Sequence, residues 1–146
     1  MIHYLGYAHH GLFEKAKALA QRFSFELSCQ HYPRLELQDH GLFYYASAKE
    51  KLGMDWNDLK WIKRSHGAMG QDPLIRACLA KKNSPLILDL TAGWGKDAML
   101  LARAGARVIL LEKNPVMAAL LEDAHTRLSD DEIKARMQIH WIDAHD

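Results

Sequence analysis

Leu86-Ile87-Leu88-Asp89-Leu90-Thr91-Ala92-Gly93-Trp94-Gly95-Lys96-Asp97-Ala98 is the stretch that decides the architecture of this chain. Its first five residues are almost wholly apolar, as a strand buried on both faces of a parallel sheet requires. The glycines then let the backbone turn tightly and approach a ligand, and the helix that follows, expected over residues 96–104, offers free N–H groups at its start. Gly105 ends that helix.

Working outward, residues 108–111 repeat the apolar run as a second strand. Asn114-Pro115 opens another helix, with a side-chain cap just before a proline at the first helical position, and that helix is expected to reach about Leu128. Ser129-Asp130-Asp131-Glu132 has the spacing of a capping box, and residues 137–142 form a third strand. Asp72-Pro73 repeats the cap-plus-proline pattern upstream, for a helix over residues 72–82. Strand, helix, strand, helix, strand with short loops implies right-handed crossovers and a parallel sheet. The fold class is therefore α/β: a Rossmann-like sheet preceded by a small α+β unit. That unit, with a linker, is assigned to residues 1–66, and the Rossmann-like part to residues 67–146. In the N-terminal part, Leu12, Ala16, Leu19, Ala20 and Phe23 fall at helical spacing. Strands are expected at residues 25–28, 35–37 and 42–46, with a turn at Asp39-His40-Gly41. Residues 47–71 read as linker and loop around one short helix over residues 56–64.

Composition excludes several classes. The chain has 146 residues, 49% apolar and 25% charged, with no apolar run near the ~20 residues that span a bilayer. The first ten residues lack a signal-peptide pattern, so a cytoplasmic location is expected and no membrane partner. Cys29 and Cys78 make no framework and are expected as free, partly buried thiols. The nine histidines lack zinc-site spacing, so no metal is expected. Net charge is +1, but Lys60, Lys63, Arg64 and Arg76 belong to a basic stretch with a single acid, Asp72. That stretch is a candidate contact to RNA phosphates, against the plainer reading of a solvated helical flank.

Three acids stand at three successive strand ends. Glu112 ends the second strand, 19 residues after Gly93, where an acid accepts ribose hydroxyls. Asp89 ends the first strand, and Asp143 follows the third, where it would meet an adenine amine. The glycine loop alone also fits a dinucleotide fingerprint, so an NAD-type domain is the alternative, with an inactive remnant or interaction module as a third reading. Asp89 and Asp97 flanking the loop disfavour a pyrophosphate and favour a ligand with a methionine portion, S-adenosyl-L-methionine.

The stretch from Leu88 to Ala124 resembles the ribosomal RNA small subunit methyltransferase J family. Asp89 through Ala98 fits the family's D-x-T-A-G-x-G-[RK]-D-A motif, and Glu112-Lys113-Asn114-Pro115 fits its E-[RK]-N-P element. The resemblance implies a class I methyltransferase fold and methylation of a guanosine exocyclic amine in small-subunit (16S) rRNA. With the residue reading above, it gives a cofactor set of Asp89, Ala92, Gly93, Gly95, Lys96, Asp97, Glu112, Lys113, Ile142 and Asp143. Trp94 stands where the family usually has a smaller side chain. The Asp/Asn-Pro-Pro-aromatic motif that holds the target amine in such enzymes is absent from this sequence, so no catalytic residue is assigned. By this reading the chain is expected to be truncated and inactive alone. Its first Rossmann strand should become an apolar edge, which leads to a homodimer or a companion segment.

Overall fold

The computed structural model describes residues 1–58, 72–80 and 83–145. It divides into two compact units, Met1–Met54 and Asp55–Asp146. The boundary expected between residues 66 and 67 lies outside the described residues.

The first unit is a five-stranded sheet with one α-helix. Its strands are β1 (Tyr4–Tyr7), β2 (Glu26–Leu27), β3 (Arg34–Gln38), β4 (Gly41–Tyr45) and β5 (Lys51–Gly53), in the order β2-β1-β3-β4-β5. β1 runs parallel to β2 and β3, whereas β3-β4-β5 is an antiparallel meander. Helix α1 (Phe13–Phe23) follows a single 3₁₀ turn and buries Ala16, Ala20 and Phe23, the apolar stripe read from the sequence. Leu5, Leu35, Leu37 and Leu42 complete this core. The β3–β4 hairpin turns where Asp39-His40-Gly41 was expected.

The second unit contains α2 (Pro73–Leu79), β6 (Leu86–Asp89), α3 (Lys96–Arg103), β7 (Arg107–Glu112), α4 (Pro115–Arg127), α5 (Asp131–Ala135) and β8 (Met137–Trp141). The strands form a parallel sheet in the order β6-β7-β8. Both cap-plus-proline signals operate as expected: Asp72 accepts from the Leu74 and Ile75 amides, and Asn114 from those of Val116 and Met117. Val108 and Leu110 of β7 are buried beneath Leu100, Leu101, Leu120 and Leu121 of the flanking helices.

Three expectations are corrected. The last helix is capped by Asp130, which accepts from the Ile133 amide, not by Ser129. The Ser129 hydroxyl instead donates to Asn57, 2.8 Å away. β6 is not buried on both faces: Leu86, Leu88 and Leu90 are 59%, 55% and 52% exposed along an edge that no described strand pairs. Cys29 is exposed rather than partly buried; Cys78 is half-buried, and both are free thiols. No described helix is long and apolar enough to cross a membrane.

Candidate cofactor site

The glycine loop leaves the carboxyl end of β6 and enters α3. Gly93 and Gly95 have φ of +51° and +70°, the left-handed region that favours glycine. The Gly95 amide donates to the Ala92 carbonyl at 2.7 Å, closing the turn, and Gly95 is itself the N-cap of α3.

Trp56 holds this loop from behind. Its side chain is fully buried, and its indole N–H donates to the Trp94 carbonyl at 3.2 Å. A β-carbon at Gly95 would lie 2.5 Å from the Trp56 ring, so glycine is required there by contact as well as by φ. The neighbouring Asn57 donates to the Arg127 carbonyl at 2.8 Å and accepts from the Ser129 amide at 2.9 Å. The sequence put Trp56 at the start of a short helix over residues 56–64 within the linker; Trp56 and Asn57 instead lie in a turn, and residues 59–64 lie outside the described residues. The one available signal for Trp56 was a large aromatic in a segment otherwise rich in glycine and polar residues.

Each of the three strand-end acids engages the amide two residues further on. Asp89 accepts from Thr91 at 3.0 Å, Glu112 from Asn114 at 2.8 Å and Asp143 from His145 at 3.1 Å. Each bond uses one carboxylate oxygen, so the acids shape their loops. For Glu112 and Asp143 the other oxygen makes no hydrogen bond among the described residues.

The expected cofactor residues divide between two adjoining cavities that share Leu90 and Thr91. Gly93, Glu112, Lys113, Ile142 and Asp143 line one of about 370 Å³, between the loops after β6, β7 and β8. Asp89, Ala92, Lys96 and Asp97 line the other, of about 540 Å³, with Trp94, Leu74 and Cys78. Gly95 lines neither and faces Trp56. Of the candidate RNA contacts, Arg76 is exposed on α2, and Lys60, Lys63 and Arg64 lie outside the described residues.

Two acids at adjacent strand ends and a glycine loop opening a helix stand at the carboxyl ends of the strands, where open α/β sheets bind their ligands. The acceptor set suits S-adenosylmethionine: two carboxylates with spare acceptor oxygens line one cavity, and no pyrophosphate needs to pass between Asp89 and Asp97.

Known proteins agree. Residues 18–146 match the family model described as putative SAM-dependent methyltransferase, and the chain belongs to that family, whose cofactor is S-adenosylmethionine. It is 39% identical over 130 residues to the ribosomal RNA small subunit methyltransferase J of Legionella pneumophila (strain Corby), covering 89% of this chain and 53% of that protein. It is 42% identical over 106 residues to the protein of the same name from Vibrio vulnificus (strain YJ016), covering 66% of this chain and 41% of the relative. The resemblance drawn from the glycine loop and the E-[RK]-N-P element is therefore upheld. The chain spans about half the length of the Legionella relative. Among solved structures, the SAM-dependent methyltransferase NGO1261 from Neisseria gonorrhoeae superposes with a TM-score of 0.76 at 21% identity, over 97% of this chain and 60% of that one. That likeness establishes the fold.

Proposed function

We propose that this chain provides the cofactor-binding part of a methyltransferase that modifies the exocyclic amine of a guanosine in small-subunit rRNA. The observation that carries the reading is the pair of carboxylates, Glu112 and Asp143, facing one cavity from adjacent strand ends beside Gly93. Glu112 accepts the ribose hydroxyls and Asp143 the adenine amine. The second cavity, with Asp89 and Asp97, takes the methionine portion. The bound cofactor supplies an electrophilic sulfonium methyl group. The residues of this chain orient it and shield it from water, since such transfer rests on positioning more than on a strong base. Arg76, with Lys60, Lys63 and Arg64, meets RNA phosphates. The exposed β6 edge pairs with a further strand, from a second copy or from a companion segment. No residue here is assigned to the guanine, so the chain alone is expected to bind cofactor without transferring methyl groups.

Calorimetry tests the reading. S-adenosylmethionine and S-adenosylhomocysteine should bind, NAD should not, and Glu112→Ala should weaken binding by about tenfold or more, the loss of a charge-assisted hydrogen bond. A folded chain that prefers NAD would overturn the assignment. Methylation of small ribosomal subunits by the chain alone would overturn its expected inactivity.

A further inference from the structure

Trp94 carries the largest side chain of the glycine loop, and that side chain takes no part in closing the turn. The residue stands between Gly93 and Gly95, whose positive φ fixes the backbone on either side of it. Its carbonyl accepts from the buried Trp56 indole, behind the loop. Trp94 itself is half-buried and lines the cavity of about 540 Å³ with Asp89, Lys96 and Asp97. Among the described residues it is the one aromatic residue on the wall of that cavity, and no described ring or cation stacks on it.

The rest of the wall sets the kind of ligand. Two carboxylates stand there against one ammonium, a balance that favours a group of net positive charge. Leu74, Ile87 and Leu101 add apolar surface, so an ion held there is partly withdrawn from water. The methionine portion of S-adenosylmethionine has the matching charges: an ammonium, a carboxylate and a sulfonium. The carboxylates can accept from its ammonium, and Lys96 can meet its carboxylate. The sulfonium has no N–H or O–H to donate, so no acceptor can hold it by a hydrogen bond. Such a cation is recognised by the negative face of an aromatic ring, indole best of all.

We propose that Trp94 is a specificity residue of the cofactor site: its indole face receives the sulfonium and so distinguishes S-adenosylmethionine from S-adenosylhomocysteine, whose sulfur is a neutral thioether. Both compounds share the ammonium, the carboxylate, the ribose and the adenine, so the ring is the group on this wall that tells them apart at the sulfur. The inference rests on the placement of the methionine portion in this cavity.

Calorimetry of the whole chain with each compound gives the ratio of their Kd values. The wild-type chain should favour S-adenosylmethionine, and Trp94→Leu should cut that preference about fivefold, the loss of one partly desolvated cation–π contact. Trp94→Phe, which keeps a ring, should retain most of it. A role in loop packing alone would weaken both compounds alike and leave the ratio unmoved. An unchanged ratio in Trp94→Leu, or an equal loss in Trp94→Phe, in variants with a wild-type circular dichroism spectrum, would overturn the proposal. Alkylation gives a second readout. Cys78 lines the same cavity, whereas exposed Cys29 belongs to the first unit. Saturating S-adenosylhomocysteine should slow the reaction of Cys78 with iodoacetamide and leave that of Cys29 unaffected. Binding without that protection would overturn this inference and leave cofactor binding intact. A folded wild-type chain that binds neither compound would overturn both this inference and the proposed function.

Discussion

Replacing Gly95 by alanine tests the account of the glycine loop quantitatively. Two costs add at this position. The backbone sits at φ +70°, ψ 16°, where an L-residue pays roughly 1–2 kcal/mol. The new methyl group would also stand 2.5 Å from the Trp56 ring and 3.2 Å from Leu121, and relieving such overpacking costs about 1–3 kcal/mol. Gly95→Ala should therefore destabilise the second unit by about 2–5 kcal/mol. Gly93 provides the internal control. It too has positive φ, but its added carbon would meet only the Thr91 carbonyl at 3.8 Å, an ordinary contact. Gly93→Ala should then cost only the backbone share, about 1–2 kcal/mol. Urea unfolding followed by tryptophan emission measures both, because all four tryptophans belong to the second unit. In a Trp56→Leu background the penalty of Gly95→Ala should fall toward that of Gly93→Ala. Equal costs for the two glycines with Trp56 in place would refute the claim that the indole walls the loop.

Two further predictions concern the rest of the molecule. In the first unit, burial alone would push the Glu36 carboxyl up, but hydrogen bonds from Arg34 and Gln38 and the charges of Arg34 and Lys51 outweigh it and hold the group below the usual carboxylate range. Its stabilisation is present above the ordinary carboxylate pKa and is lost as pH falls through the depressed value, so β3 and β4 amides should exchange faster in acid; Glu36→Gln should cost about 3 kcal/mol at neutral pH and flatten that acid dependence. At the β6 edge, Leu88→Lys should shift the protein toward monomer in sedimentation while changing stability by less than about 0.5 kcal/mol, and a wild-type chain that stays monomeric at all concentrations and captures no added strand would remove the pairing.

The second unit was legible because its signals are local. Asp72-Pro73 and Asn114-Pro115 each place an acceptor side chain and a fixed φ at a helix start, and both caps form as the pattern requires. The apolar run of β7 and the glycine loop were read the same way. What escaped was set by distant partners. β1 reads Tyr-Leu-Gly-Tyr, too short and too glycine-interrupted to declare itself, and becomes a strand through parallel pairing with β3. β5, Lys51–Gly53, is an exposed edge with no apolar alternation. Ser129 satisfies the capping pattern locally but is drawn to Asn57, and the adjacent Asp130 takes over the cap. The site residues were found as types, but their division between two cavities depends on side-chain direction at each strand end, which spacing does not encode.

The anchoring of the glycine loop by Trp56 and Asn57 also bears on the order in which the domain assembles. The indole reaches the Trp94 carbonyl across 38 residues of sequence, and Asn57 reaches Arg127 and Ser129 across 70 and 72. Contacts of such span require large loops to close, so they form after the local β–α turns and are exposed to early loss. Opening of this one short segment would release the loop carbonyl and the end of α4 together, making them a single cooperative unit in hydrogen exchange. Any ligand that needs the loop closed would then slow exchange at Ser129, beyond the far end of α4. The glycine loop and a remote helix terminus would share one opening equilibrium.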